Sequence, residues 1–199
     1  MALHNDVFQQ QIWDFFCGDL ESCLIVSRIK QSNPNSPFKG GLNFTATLVI
    51  FSVIELASGW WKGTKATNDI IASFIQKYFS KHDKRFKDKS FAKKFYDVFR
   101  NGLSHQWSPK ASGIAMDFNR NWLLEKANTG GQEEILFLNV PTFYYLTKQA
   151  LEDFEKELNT NESVRKMFEK RYKKIIESDY KEMRILRNFL GKAIKKNSS

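Results

Sequence analysis

The sequence predicts a mainly α-helical bundle of about six helices with a small antiparallel β hairpin or meander inserted at about 112–140. Three observations predict it. Apolar residues recur at helical spacing through most of the chain, and phenylalanine alone supplies 18 of the 199 residues. The period shifts to that of strands in only one region, S-G-I-A-M-D-F through E-E-I-L-F-L-N-V. The length suits one buried core, so residues 1–199 are read as a single domain.

The first helix is expected over 5–30, with Val7, Phe8, Ile12, Phe15, Phe16 and Leu20 inward and a kink at Gly18. Q-S-N-P-N-S-P-F-K-G-G at 31–41 holds two prolines and two glycines and is a loop. The helix over about 42–60 is apolar almost all round, as a central helix must be. Its polar residues Thr45, Ser52 and Glu55 are spaced by seven and three, so they share one narrow stripe, facing solvent or an internal polar site. Asn68 is placed to cap a third helix with Ile70, Ile71, Phe74, Ile75, Tyr78 and Phe79 on its apolar face. Ser90 is placed to cap a fourth, with Phe91, Phe95, Val98, Phe99 and Leu103 inward, and Pro109 stops it. The last two strands join across N-T-G-G. Pro141 suits the first turn of a helix over 141–158, and helices over about 162–177 and on to 195 complete the chain.

Net charge is +9 with a pI near 9.5, a field that attracts polyanions, nucleic acid first and anionic membrane second. The excess is concentrated. Residues 81–94 hold seven Lys or Arg against two Asp, and 161–199 hold twelve against five Asp or Glu. Lys84, Arg85, Lys87 and Lys110 are candidate phosphate-backbone contacts, with a solvated basic face as the competing explanation. Trp60, Trp61 and Trp107 could stack on bases, although aromatics near helix ends more often pack. Cys17 and Cys23 lie about 120° apart around one helix and cannot bridge. With His4, His82 and His105 scattered, no metal site is expected. No cofactor is expected either: there is no glycine-rich phosphate loop, no nucleophile elbow and no useful carboxylate pair. The start of the chain lacks a signal-peptide pattern, and the apolar run at 48–57 is too short to span a bilayer and holds Glu55. These features predict a soluble, cytoplasmic chain with no membrane partner.

One stretch carries chemistry: F-R-N-G-L-S-H at 99–105. On a helix Asn101 and His105 are i, i+4 neighbours, and the long Arg100 side chain reaches the same area. Ser104, the i+4 neighbour of Arg100, is a small hydroxyl that does not block it. A guanidinium grips phosphate oxygens with paired hydrogen bonds, and an imidazole moves protons near neutral pH. An arginine and histidine at this spacing recur by chance about 0.1 times in such a composition, so the spacing alone is weak. A helix C-terminus favoured by two cationic side chains is the competing explanation.

The stretch, with L-V-I-F-S-V-I-E-L-A, F-I-Q-K-Y and F-Y-D-V before it, resembles the signature of bacterial HEPN domains over about 42–158. The N-terminal helix 5–30 and the basic helices 161–195 lie outside that likeness. The resemblance implies a homodimer with two motifs in one cleft. It also implies a metal-independent endoribonuclease of toxin or anti-phage type that leaves a 2′,3′-cyclic phosphate on RNA, and an antitoxin-like protein as partner. Carried over by position, Arg100 and His105 are the catalytic pair and Asn101 the supporting residue, with Glu55 placed to hold either of the pair. The chain departs from the pattern in Gly102 within the motif and in the β insertion directly after it. The alternative is a non-catalytic module of the same type that binds nucleic acid, a nucleotide or a protein. A third possibility is a structural helical protein whose motif is chance.

Overall fold

A computed structural model describes residues 3–33, 35, 42–103, 112–128 and 134–196, with side chains described as far as 189. The predicted architecture is the observed one: a helical bundle with one small sheet.

The N-terminal helical stretch runs as α1 (Leu3–Phe8), a π-helical segment (Gln9–Cys17) and α2 (Gly18–Ser32). Phe8, Ile12, Phe16 and Leu20 are buried at intervals of four, while Phe15 is exposed, contrary to the sequence reading. An α-helix has 3.6 residues per turn, whereas a π-turn is wider. The mixed helix keeps a spacing of four in line with the core and turns Phe15 outward. Gly18 opens α2 directly after the π segment.

α3 (Asn43–Lys62) is the centre of the bundle. By length and composition it could cross a bilayer, longer than the run at 48–57 suggested, yet Ile50, Phe51, Ile54, Ala57 and Trp60 are buried within the protein. It ends at Gly63, whose φ of 68° lies in the left-handed region and whose Cα faces the Met167 sulfur. α4 (Asn68–Phe79) is capped by Thr67, whose hydroxyl accepts from the Ile70 N–H, one residue before the expected cap. A 3₁₀ turn (Lys84–Lys87) leads to α5 (Lys89–Tyr96). Asp88, not Ser90, caps α5; its carboxylate accepts from the Ser90 N–H at 2.8 Å and from the Ser90 hydroxyl. A second π-helical turn (Asp97–Asn101) follows α5.

The sheet consists of β1 (Ser112–Ala115), β2 (Leu124–Asn128) and β3 (Glu134–Asn139) in the order β1-β3-β2. β2 and β3 are antiparallel, but β1 pairs with β3 in parallel, so the sheet is mixed rather than a meander. The buried Asn139 side chain organises this topology. It accepts from the Asp117 N–H and donates to the Asp117 and Arg120 carbonyls, pinning the loop that lets β3 enter between its predecessors. Gly113 faces Phe137 across the parallel pair, and a Cβ there would fall 2.3 Å from the ring. α6 (Val140–Thr160) takes Pro141 in its first turn, where no intrahelical N–H is needed. α7 (Glu162–Lys196) is one continuous helix of 35 residues.

The core is built on aromatic rings. Phe51, Phe95 and Phe143 lie within 6 Å of one another, with centroid separations of 4.9, 5.3 and 5.8 Å. Phe8, Phe74 and Tyr78 surround Phe154, and Trp60 meets Phe168 of α7 edge-on at 4.9 Å. Each fully buried ring contributes roughly 1.5–3 kcal/mol by leaving water, which locks α3 between α4, α5 and α6.

Candidate active site

Tertiary structure sets Arg100 against α3. Phe95, Phe99 and Leu103 enter the core, and this anchors the π-helical turn so that Tyr96 and Arg100 both face Glu55. The Arg100 Nε donates to Glu55 Oε1 at 2.5 Å and its Nη2 approaches Oε2 at 3.5 Å. The Tyr96 hydroxyl donates to the same Oε1 at 2.8 Å. About a quarter of each ionic side chain is exposed, 25% for Arg100 and 27% for Glu55, so the pair sits at the rim of the core.

The guanidinium engages Glu55 through one side edge; its Nη1 makes no hydrogen bond to any described residue. That leaves a planar donor directed away from the carboxylate, the geometry that suits an anion. Hydrogen bonding to the Glu55 carboxylate raises the Arg100 pKa above its ordinary value, outweighing partial burial, so the charge persists at any working pH. Burial first, and then the hydrogen bond and charge of Glu55, push the Tyr96 phenol above its usual range, so it remains a neutral donor. Asn101 donates its side-chain amide to the Asp97 carboxylate at 2.9 Å, an i, i+4 bond along the π turn.

Glu55 and Arg100 are therefore brought together, and Asn101 lies next to them on the same turn. His105 and Ser104, with Trp107 and Lys110, lie outside the described residues. Lys84, Arg85 and Lys87 precede α5, whereas Arg100 follows it, so the length of that helix lies between them. Arg85 is bound to Asp83, with 3.0 Å from Nε to each carboxylate oxygen. These three cations do not join the Arg100 cluster. Trp60 is fully buried, and Trp61 packs edge-on to Phe74 and Tyr78 with Lys62 over its ring. Both pack rather than present a face for bases.

The other histidines are in structural contacts. His4 is buried, with Nε2 3.1 Å from the Asn159 side-chain Oδ1, and His82 Nε2 lies 3.0 Å from Asp153 Oδ2. No group of three His, Cys, Asp or Glu able to hold a metal ion occurs among the described residues. The residue the sequence reading missed is Tyr96. Its signal was available, a tyrosine four positions before the arginine, but its partner Glu55 is 41 residues distant. Compared with protein-family models, curated proteins and solved structures, the chain matches none.

Proposed function

We propose that the chain is a HEPN-like, metal-independent endoribonuclease whose site forms where two copies meet. The observation that carries this reading is Arg100. It is held at the rim by Glu55, which also accepts from the Tyr96 hydroxyl, with Nη1 directed away, and it opens the R-N-G-L-S-H stretch of the sequence. In that role the guanidinium binds the non-bridging phosphate oxygens. The 2′-oxygen of RNA attacks phosphorus and the P–O5′ bond breaks. An imidazole takes the 2′-hydroxyl proton, and the second copy's imidazole protonates the departing 5′-oxygen. The products are a 2′,3′-cyclic phosphate and a 5′-hydroxyl, with no redox change and no metal required. Asn101 orients the cluster through Asp97. Toxin or anti-phage activity restrained by a protein partner is the biological setting that the motif suggests.

The test is cleavage of RNA by the purified chain in EDTA. Loss of cleavage in His105→Ala and Arg100→Ala, with unchanged circular dichroism, is expected; equal cleavage by wild type and variants rejects the reading.

A second reading has its own observation. The Tyr96–Glu55–Arg100 arrangement recurs at Tyr78–Glu157–Lys77 and Tyr144–Glu21–Lys148, where no motif is present. Here Arg100 is a helix staple in a non-catalytic module that binds nucleic acid, a nucleotide or a protein. His105→Ala would then lower no catalytic rate, and Arg100→Ala would lower thermal stability alone.

A further inference from the structure

One side of α6 opens onto a groove. Thr142, Tyr145, Leu146 and Gln149 stand at offsets of three, four and seven, which places them on one face of the helix. Two other segments close on that face: His82 and Arg85 from the chain around the 3₁₀ turn, and Asn121 and Leu123 from the chain ahead of β2. The space between them is about 510 Å³, the size of a small-molecule site. Leu123 and Leu146 are buried and form its apolar floor, while Tyr145 is 61% exposed. Asn139 fixes the wall that carries Asn121, bonding the Arg120 carbonyl at 3.2 Å and the Leu123 carbonyl at 3.0 Å.

The ionic groups of the groove are already engaged with one another. Asp83 accepts from the Arg85 backbone N–H, Nε and Nη2. His82 Nε2 is bonded to Asp153 Oδ2, and Lys81 lies 3.4 Å from the same oxygen. The groups left over are mainly neutral. The carboxamides of Asn121 and Gln149 and the Tyr145 hydroxyl make no hydrogen bond to any described residue, and the same holds for Arg85 Nη1. A carboxamide offers a donor and an acceptor side by side, and an exposed ring offers a face for stacking. A planar, uncharged aromatic ring with adjacent donors and acceptors answers this set, which describes a nucleobase. Adenine fits it best. A carboxamide pairs with adenine N6 and N7, whereas guanine calls for two nitrogens of a free guanidinium, and Arg85 has engaged Nε and Nη2 with Asp83.

We propose that this groove binds an adenine base. Tyr145 stacks on the ring, and Asn121 and Gln149 present their carboxamides to its polar edges. Arg85 Nη1 is left for one phosphate oxygen of the attached nucleotide. The base can belong to a free adenine nucleotide or to a single-stranded RNA, since the recognised chemistry is the same in both. The proposal does not rest on RNA cleavage. Arg85 precedes α5 whereas Arg100 follows it, and no groove residue belongs to the R-N-G-L-S-H stretch.

The experiment is titration calorimetry on the full chain with adenosine, guanosine, cytidine, uridine and AMP, none of which carries a phosphodiester to cleave. Adenosine and AMP are expected to bind one per chain, with the other three nucleosides weaker. Tyr145→Ala should lower the affinity about tenfold or more, and Tyr145→Phe should keep it, because stacking needs the ring and not the hydroxyl. Gln149→Ala and Asn121→Ala should narrow the gap between adenosine and the other nucleosides. Arg85→Gln should erase the advantage of AMP over adenosine. Circular dichroism should be unchanged in the Tyr145, Gln149 and Asn121 variants, because all three positions are exposed. Adenylate pentamer distinguishes the sources: binding at least tenfold tighter than AMP assigns the groove to a base of an RNA strand, and equal binding assigns it to a free nucleotide. No saturable binding of adenosine or AMP up to about 5 mM overturns the proposal. So does equal binding of all four nucleosides, or an affinity that Tyr145→Ala leaves unchanged.

Discussion

Two corners of the bundle set a tyrosine and a cation on one glutamate, and the cation differs. On α6, Tyr144 and Lys148 are i, i+4 neighbours that both bond Glu21 of α2, at 2.6 and 2.9 Å. At the end of α5, Tyr96 and Arg100 are i, i+4 neighbours that both bond Glu55 of α3, at 2.8 and 2.5 Å. Each set ties two helices at the edge of the aromatic core. The cation and its setting differ. Lys148 is a point charge opposite a Glu21 side chain 46% exposed, whereas Arg100 is a planar fork in a less exposed pair with Nη1 directed away. An ion pair with a tyrosine is therefore ordinary stapling in this protein. Only the fork and the neighbouring motif set the Arg100 corner apart.

Function is where the comparison breaks most sharply. In an RNA cleavage assay in EDTA, His105→Ala and Arg100→Ala are expected to lose about 10²- to 10⁴-fold, the range of a general acid–base group. Lys148→Ala should leave the rate unchanged. If Lys148→Ala lowers it as much, the two corners are equivalent and both are structural.

Stability separates the sets by burial. The third one, Tyr78 and Lys77 on Glu157, has the least exposed carboxylate, 21%, with bonds of 2.9 and 2.7 Å. Glu157→Ala strands a buried phenol and is expected to cost about 2–3 kcal/mol. Calorimetry should show this as a melting temperature lower by roughly 4–10 °C.

The three tyrosines also predict a pH dependence. Burial, and after it the neighbouring carboxylates, raise Tyr78 and Tyr96; burial and the bond to Glu21 raise Tyr144. In the unfolded chain each ionises near pH 10, while in the folded chain each keeps its proton. The unfolded state then binds fewer protons, so stability is full below about pH 10 and falls as pH rises beyond it. The slope is about 1.4 kcal/mol per pH unit for each tyrosine, measurable by urea unfolding at pH 9, 10 and 11. Tyr96→Phe should make that slope shallower.

The smallest effect belongs to the exposed corner. Glu21→Gln keeps an acceptor for Tyr144 and loses only a screened charge pair, so its cost should be under about 1 kcal/mol. A larger loss in urea titration would show that exposure does not grade the three sets.

Local chemistry made much of this fold legible. Helical periodicity located α3 to α6, Pro141 marked a helix start, and N-T-G-G lies between two strands that do pair antiparallel. Caps were misplaced by one or two residues because several neighbouring side chains can accept the same N–H: Thr67 and Asp88 take it instead of Asn68 and Ser90. Phe15 was misplaced because a period of 3.6 does not describe a π-helical segment. The candidate site divides in the same way. The charge, the R-N-G-L-S-H spacing and the polar stripe with Glu55 are properties of the chain itself. The parallel β1–β3 pairing, the contact of Arg100 with a glutamate 45 residues away, and the separation of Lys84, Arg85 and Lys87 from it are tertiary results. Periodicity says which face of an element is buried; only packing the elements together decides which residues of different faces meet.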